Sequence, residues 1–453
     1  MCAVNESRCR TTRKSSAALL AAAVAALTLS FALPSCAPRK RAEAPVGRAR
    51  VRPGIEVFLE KRLDLVLGKR VGLITNPSGA DSRLRSTADL LVHQPGINLV
   101  ALYGPEHGIR GDAQAGEYVP FYLDSEYHLP VFSLYGQSMK PEPGMLRNID
   151  AYMRSFDTQA AGKKPEGAMI GDIDVMVCDL QDVGTRVYTY IATMAYAMEA
   201  CADSGIEFVV LDRPNPINGA DTEGPILEYP DHSSFIGLYP IPERHGLTLG
   251  ELARFFNDRF LARKAKLTVV PMEGWERTMW YDETSLPWIP PSPNMPTLDT
   301  ATVYPGQVAL EGTNVSEGRG TTRPFELFGA PWIDGHELTT RLNALGLPGV
   351  VFREAWFTPS FSKFQGQLCG GCQLHVTDRE TFRSFATALH IIKTIRDAYP
   401  GRFEFHADYF DKVMGTSRIR EALEAGTPVE TIVEGLGPGL AAFAEMRKPY
   451  LLY

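Results

Sequence analysis

Residues 97–116 read INLVALYGPEHGIRGDAQAG. An apolar run, Ile97-Asn98-Leu99-Val100-Ala101, passes without a break into a loop that carries Glu106, His107, Arg110 and Asp112 between Gly104, Gly108, Gly111 and Gly116. A short apolar run of this kind predicts a buried strand. Glycine permits the tight and left-handed turns that bring a backbone close to a ligand, and loops at strand ends are where catalytic groups concentrate. A polar surface loop with helix-capping residues is the plain alternative.

The pattern repeats on both sides of this stretch. Arg70–Thr75 runs into Asn76-Pro77-Ser78-Gly79, and Val131–Leu134 into Tyr135-Gly136. Asp174–Cys178 runs into DLQDVGTR (179–186), and Glu207–Leu211 into DRPNPING (212–219). A sixth strand is expected at 267–270, and helices at 86–92, 188–204 and 249–261, the last with Thr248 as its N-cap. Short apolar runs alternating with longer helical ones predict an α/β fold with a largely parallel sheet. In such sheets the carboxyl ends of the strands share one edge, where ligands bind. Asn76, Glu106, His107, Asp179, Asp182, Arg186, Asp212, Arg213 and Asn215 are therefore expected to converge.

Residues 288–329 are rich in Pro and Gly and lack regular periodicity, a length of chain that is usually functional inside a domain. They offer Asn294, Glu311, Asn314, Glu317, Arg319 and Arg323. Beyond residue 331 the pattern changes to a smaller α+β region, with a helix near 336–345, strands near 350–352 and 373–376, and helices at 379–398, 417–425 and 428–446. The expected division is a catalytic domain over 54–330 and a C-terminal α+β domain over 331–453.

The 453 residues, 44% hydrophobic and 22% charged, have an ordinary globular composition. A net charge of −7 argues against a nucleic-acid partner. The positive charge near the start, Arg8, Arg10, Arg13 and Lys14, precedes an apolar run from Ala17 to Leu33 that ends at small residues. This predicts a secretory signal over 1–36 rather than a membrane span. Leu33-Pro34-Ser35-Cys36 resembles a bacterial lipobox, which makes Cys36 the expected lipidation site and export to the periplasm or cell envelope the expected localisation. Residues 37–53 read as a tether. Of seven cysteines, only Cys178, Cys201, Cys369 and Cys372 lie beyond Cys36, too few for a disulfide scaffold. Cys369-Gly-Gly-Cys372 is either a local disulfide or two thiols.

Several chemistries lack their motifs. No GxGxxG follows a strand, and there is no phosphate-binding glycine loop of the P-loop type, so no nucleotide cofactor is expected. No GxSxG elbow supports a serine hydrolase. Paired carboxylates remain: Glu106 with Asp179 or Asp182 supplies the two acidic groups of glycoside hydrolysis, and His107 is placed to orient Glu106. Tyr103, Tyr188, Tyr190 and Trp288 offer flat faces and hydroxyls for a sugar. Asp179 and Asp182 as helix caps or partners of Arg186 are the structural alternative. Two other readings use the same residues: a metal hydrolase built on Glu106, His107, Asp179, Asp182 and His245, although no tight ligand spacing supports it, and a lipoprotein that binds a sugar without cleaving it.

The runs ITNPSG (74–79), LYGPEHGIRGDAQAG (102–116), DLQDVGTRVYTY (179–190), LDRPNPING (211–219), PPSPNMP (290–296) and LEGTNVSEGRGTTRPFELFGAPW (310–332) resemble the exo-β-N-acetylmuramidase family (NamZ or YbbC-like), from about residue 54 to the end. The resemblance implies a Rossmann-like domain without a nucleotide, a smaller C-terminal domain and an active site in the cleft between them. It also implies release of N-acetylmuramic acid from the non-reducing end of peptidoglycan fragments, and places the family's catalytic glutamate at Glu106. That sugar carries a lactyl carboxylate, which an arginine can bind in bidentate fashion. Arg110, Arg186, Arg213, Arg319 and Arg323 are the candidates, and the polar groups Asn76, Tyr103, Tyr188, Asn215, Asn294, Asn314 and Glu317 are expected to complete the sugar pocket. No metal or other cofactor is expected, and no nucleic acid.

Overall fold

Six of the apolar runs pair side by side into one parallel sheet. In the computed structural model, which describes residues 50–136, 138–156 and 171–453, the strands in chain order are β1 (Arg70–Thr75), β2 (Asn98–Gly104), β3 (Tyr122–Leu123), β4 (Pro130–Ser133), β5 (Val175–Asp179), β6 (Glu207–Leu211), β7 (Glu223–Ile226), β8 (Pro242–Arg244), β9 (Lys266–Val270), β10 (Leu327–Ala330), β11 (Val350–Phe357) and β12 (Cys369–Val376). The main sheet has the order β3-β4-β2-β1-β5-β6-β9, parallel throughout except for the short edge strand β3. Counting only its parallel strands, the chain order across the sheet is 3-2-1-4-5-6, that of the doubly wound Rossmann fold.

The strands are apolar throughout because the sheet is covered on both faces. Val175 and Val177 join Val71, Leu73, Val209 and Leu211 in one core, while Met176 and Cys178 join Ile74, Phe208 and Val210 in the other. That alternation is the period-2 geometry of a strand. Helices Gly54–Lys61 and Thr87–His93 close the first face through Ile55, Phe58 and Leu91. Helices Tyr190–Ser204 and Leu249–Arg259 close the second through Met194, Met198, Leu252 and Phe256. Thr248 caps the latter helix as expected: its hydroxyl accepts from Glu251 N–H at 3.2 Å, and the Glu251 carboxylate accepts from Thr248 N–H at 3.0 Å.

The smaller C-terminal part holds an antiparallel sheet in the order β10-β12-β11, with helices Gly335–Ala344 and Ser384–Ala398 packed beside it. Two details differ from the sequence reading, and one open alternative is decided. The aperiodic 288–329 stretch contains a helix, Leu298–Gln307, whose apolar period is masked by Pro305 and Gly306. A Cβ on Gly306 would lie 2.0 Å from the Ser384 carbonyl oxygen, so glycine here lets this helix press onto Ser384–Ala398. The Ser384 hydroxyl ties the two together, accepting from Gly306 N–H at 2.9 Å and donating to the Val303 carbonyl at 2.7 Å. The helical run predicted over 428–446 is two helices, Val429–Gly435 and Gly437–Arg447. Cys369 and Cys372 are unpaired buried thiols; three positions apart on the regularly paired β12, they point to opposite faces.

Candidate active site

The loops after β2 and β4 form one wall of a cavity of about 420 Å³. Glu106, His107, Gly116 and Tyr135 come from that wall, Tyr188 and Thr189 from the approach to helix Tyr190–Ser204. The 288–329 stretch forms the opposite wall with Asn294, Tyr304, Glu311, Glu317, Arg319 and Phe325, and Lys363 and Tyr409 close it from the C-terminal part.

Glu106 is 8% exposed. Gly116 N–H donates to its Oε1 at 2.9 Å, and the Thr189 hydroxyl donates to its Oε2 at 2.8 Å. Tyr135 faces the same carboxylate; burial, with the negative charge of Glu106 beside it, pushes the Tyr135 hydroxyl up to about 12. His107 does not hold Glu106. Its Nδ1 lies 2.8 Å from the Ala113 carbonyl oxygen, which only accepts, so Nδ1 carries the proton. Burial lowers the His107 imidazole below its ordinary value, against the Glu106 charge that favours the protonated form. His107 also takes a φ of +73°, in the left-handed region that residues other than glycine seldom enter. Phe325 (φ +64°) and Ser362 (φ +68°) do the same. Three of the nine such residues among the described residues thus line this cavity, the clustering of backbone strain seen at functional sites.

The opposite wall is an ionic network. Arg319 Nε and Nη2 donate to Glu311 Oε1 at 3.0 and 2.6 Å, and Arg319 Nε lies 3.6 Å from Glu317 Oε1. The guanidinium stacks over the Phe325 ring, 5.0 Å from its centroid. Burial works against its charge, but Glu311 and Glu317 outweigh that and hold Arg319 well above its ordinary value. Lys363 Nζ sits 3.0 Å from Glu317 Oε2 and donates to the carbonyls of Leu310, Glu311 and Val315. Tyr409 donates to Glu311 Oε2 at 3.0 Å; burial, then that carboxylate, raises its hydroxyl. The buried Asn294 Nδ2 has no hydrogen-bond partner, leaving an amide donor at the cavity for a ligand.

The structure thus brings together Glu106, His107, Tyr188, Asn294, Glu311, Glu317 and Arg319 from the expected set, and directs the others elsewhere. Asp179 does not face Glu106: it is fully buried in an ion pair with Arg213 (Nε–Oδ1 2.5 Å, Nη2–Oδ2 2.8 Å) and accepts from the Thr87 hydroxyl. Asp182 accepts from Gly184 N–H at 2.7 Å and lies 3.2 Å from His245 Nε2. Asn76 Nδ2 donates to the Tyr190 hydroxyl and the Pro291 carbonyl, at 2.7 and 3.0 Å. Tyr103 donates to the Met145 carbonyl within the core. Asn215 and Asn314 bind backbone, through Leu247 and Ile217 and through Arg402 and Glu404. Arg186 is buried against Glu243 at 2.6 Å, Arg110 pairs with Asp124 at 2.6 Å, and Arg323 with Glu326 at 3.2 Å. These side chains fill the sheet edge themselves. At the crevice between β1 and β5, where a Rossmann fold ordinarily takes its dinucleotide, a Cβ on Gly79 would already lie 2.9 Å from the Asp179 carbonyl.

The five residues of the metal-centred alternative divide between three places, Glu106 and His107 at the cavity, Asp182 with His245, and Asp179 with Arg213. Among the described residues no three His, Cys, Asp or Glu side chains gather as a metal site would require. Sequence reasoning missed Tyr135, Thr189, Tyr304, Lys363 and Tyr409. Tyr135 stood at a strand end and Thr189 in the 179–190 run already singled out, whereas Lys363 and Tyr409 carry no local signal. Cys36 lies outside the described residues, among which no helix is long and apolar enough to cross a membrane.

The N-terminal model of the family described as exo-β-N-acetylmuramidase NamZ matches residues 71–163 and 154–299, and its C-terminal model matches 302–453. The chain belongs to the NamZ family. Over 407 residues it is 51% identical to the peptidoglycan β-N-acetylmuramidase NamZ of Bacillus subtilis (strain 168), covering 90% of this chain and 92% of that protein. Crystal structures of two DUF1343 family proteins from Bacteroides fragilis NCTC 9343 share the architecture. One is 39% identical with a TM-score of 0.78, covering 90% of this chain and all of the other. The second is 30% identical with a TM-score of 0.69, covering 89% and 99%. The GPEHG run of this NamZ-family chain, residues 104–108, supplies the Glu106 carboxyl at the cavity.

Proposed function

We propose that the chain is an exo-acting β-N-acetylmuramidase that removes N-acetylmuramic acid from the non-reducing end of peptidoglycan fragments, with Glu106 as the general acid. The observation that carries this reading is the placement of Glu106: a buried carboxyl held by a backbone N–H and a hydroxyl at the cavity of a NamZ-family fold. The acid gives its proton to the glycosidic oxygen as the bond to the anomeric carbon breaks. Tyr188 and Asn294 present ring and amide to the sugar. Arg319 supplies the cation for the lactyl carboxylate, since of the five candidate arginines it alone lines the cavity; its Nε and Nη2 are held by Glu311, leaving Nη1 for a ligand. The enzyme acts outside the cytoplasm in cell-wall turnover, tethered through Cys36, a reading supported by the basic, apolar and lipobox-like order of residues 1–36.

The test compares chromogenic β-glycosides of N-acetylmuramic acid and N-acetylglucosamine, with and without a chelator, on the wild type and on Glu106→Gln. Cleavage of the muramic glycoside alone, retained with chelator and lost in a folded Glu106→Gln, supports the reading. Loss of cleavage on chelation with recovery on adding a divalent ion returns the metal hydrolase. Binding of muramic acid without cleavage of either glycoside makes the protein a receptor.

A further inference from the structure

We propose that Thr189 is a positioning residue that decides which oxygen of Glu106 carries the catalytic proton. The proposal rests on the reading of Glu106 as the general acid. Gly116 and Thr189, the two hydrogen-bond partners of that carboxyl, differ in kind, and the Tyr135 hydroxyl, which also faces it, can donate or accept as Thr189 can. Gly116 N–H, 2.9 Å from Oε1, can only donate, so Oε1 remains an acceptor whether or not the acid is protonated. The Thr189 hydroxyl, 2.8 Å from Oε2, can donate or accept. A proton on Glu106 therefore resides on Oε2, where Thr189 is able to accept it while the cavity is empty.

The local backbone leaves this hydroxyl free for the carboxyl. Thr189 stands at the N-cap of helix Tyr190–Ser204, where a threonine side chain ordinarily accepts from an N–H of the first turn. Here it makes no capping hydrogen bond, its backbone is already helical (φ −64°, ψ −17°), and the hydroxyl turns to Glu106 instead.

The catalytic step then runs as follows. The Oε2 proton passes to the glycosidic oxygen, and the bond between that oxygen and the anomeric carbon breaks with its electron pair staying on the departing oxygen. The anomeric carbon takes in exchange a bond to the oxygen of water, whose released proton later returns to Glu106. Until then Glu106 is left as a carboxylate. Rotation about the Thr189 Cβ–Oγ1 bond turns the hydroxyl into a donor to Oε2, while Gly116 N–H continues to hold Oε1. Both oxygens of the new anion are satisfied with no heavy atom moving. His107, the orienting residue suggested by its adjacency in sequence, is committed to the Ala113 carbonyl instead.

The experiment uses the full chain as wild type, Thr189→Val, Thr189→Ser and Glu106→Gln. Each is assayed on a β-N-acetylmuramic acid glycoside with a sugar or alkyl leaving group, which needs the proton, and on one with a dinitrophenolate leaving group, which does not. Thr189→Val is expected to lose about tenfold in kcat on the first substrate, with KM nearly unchanged, and to approach wild type on the second, the size of effect expected for impaired acid catalysis. Thr189→Ser, which restores the hydroxyl, should recover kcat. Equal loss on both substrates, or a Thr189→Val enzyme matching wild type beside a Glu106→Gln enzyme impaired only on the first substrate, overturns the role of Thr189. A Glu106→Gln enzyme unimpaired on the first substrate overturns the underlying assignment of the acid instead.

Discussion

Asp179 separates a structural from a chemical account of the sheet edge. Its carboxylate is fully buried, grips Arg213 at 2.5 and 2.8 Å and accepts from the Thr87 hydroxyl, away from the residues that line the cavity. Asp179→Asn keeps the shape and removes the charge, leaving the Arg213 guanidinium, 5% exposed, without its counter-ion. Breaking a buried ion pair from one side costs about 3–5 kcal/mol. That is a large part of the roughly 5–15 kcal/mol that holds a domain folded. The measurement is urea unfolding of the wild type, Asp179→Asn, Arg213→Met and the double variant, with kcat determined well below each midpoint. The double variant should recover part of the loss, because the uncompensated charge is then gone and the coupling within the cycle is large. In folded enzyme kcat should stay within about twofold of wild type, since no interaction made only in the transition state is removed. Wild-type stability with kcat reduced a hundredfold or more, the loss expected when an acid or base is removed, would refute this reasoning and return Asp179 to the chemistry.

Other expectations follow from single contacts. Arg319→Met should lower kcat/KM on the muramic glycoside by about 100-fold, the worth of a charge-assisted hydrogen bond of roughly 1.5–3 kcal/mol; the substrate with its lactyl acid converted to an amide should lose much less, and equal losses would show that Arg319 serves the fold instead. Burial lowers the His107 imidazole in the folded chain, so the unfolded chain takes up that proton first. The stability due to neutral His107 is then complete above about pH 6.5 and declines as the pH falls through the folded value. His107→Asn, which tolerates the left-handed backbone, should flatten this slope in urea midpoints taken from pH 7.5 to 5, and an unchanged slope would contradict it. Gly306→Ala drives a Cβ into the Ser384 carbonyl and should cost about 1–3 kcal/mol or more by overpacking, read by thermal unfolding; a neutral change would mean the two helices separate freely. Thiol titration of unfolded protein processed at Cys36 should find Cys178, Cys201, Cys369 and Cys372 all reactive before reduction, and two missing thiols would place a bridge between Cys369 and Cys372.

The sheet was legible because each strand carried its own signal. Val175–Asp179 and Glu207–Leu211 are apolar on both faces, which only a doubly covered parallel strand requires, and Thr248 with Glu251 declared the start of its helix. The helix Leu298–Gln307 was hidden because Pro305 and Gly306, poor helix formers, are there to fit the contact with Ser384, which no local pattern reveals. At the site, Glu106, Asn294, Glu317 and Arg319 stood in conspicuous loops and do meet. The expectation that the strand-end polar groups converge on one site failed for Asp179, Arg186, Arg213 and Asn215, because charges of opposite sign on neighbouring strand ends neutralise each other and loop polar groups satisfy backbone. Lys363 and Tyr409 were invisible for the reverse reason: an ordinary lysine and an ordinary tyrosine acquire their role only when the C-terminal part closes the cavity.

The central claim is tested most directly with two disaccharides of opposite order, one with N-acetylmuramic acid at the non-reducing end and N-acetylglucosamine at the reducing end, the other reversed. Products are identified by mass for the wild type and for Glu106→Gln. The account predicts free N-acetylmuramic acid from the first disaccharide alone, and none from either when Glu106 is replaced. Cleavage of the reversed disaccharide, or undiminished release by Glu106→Gln, would contradict it.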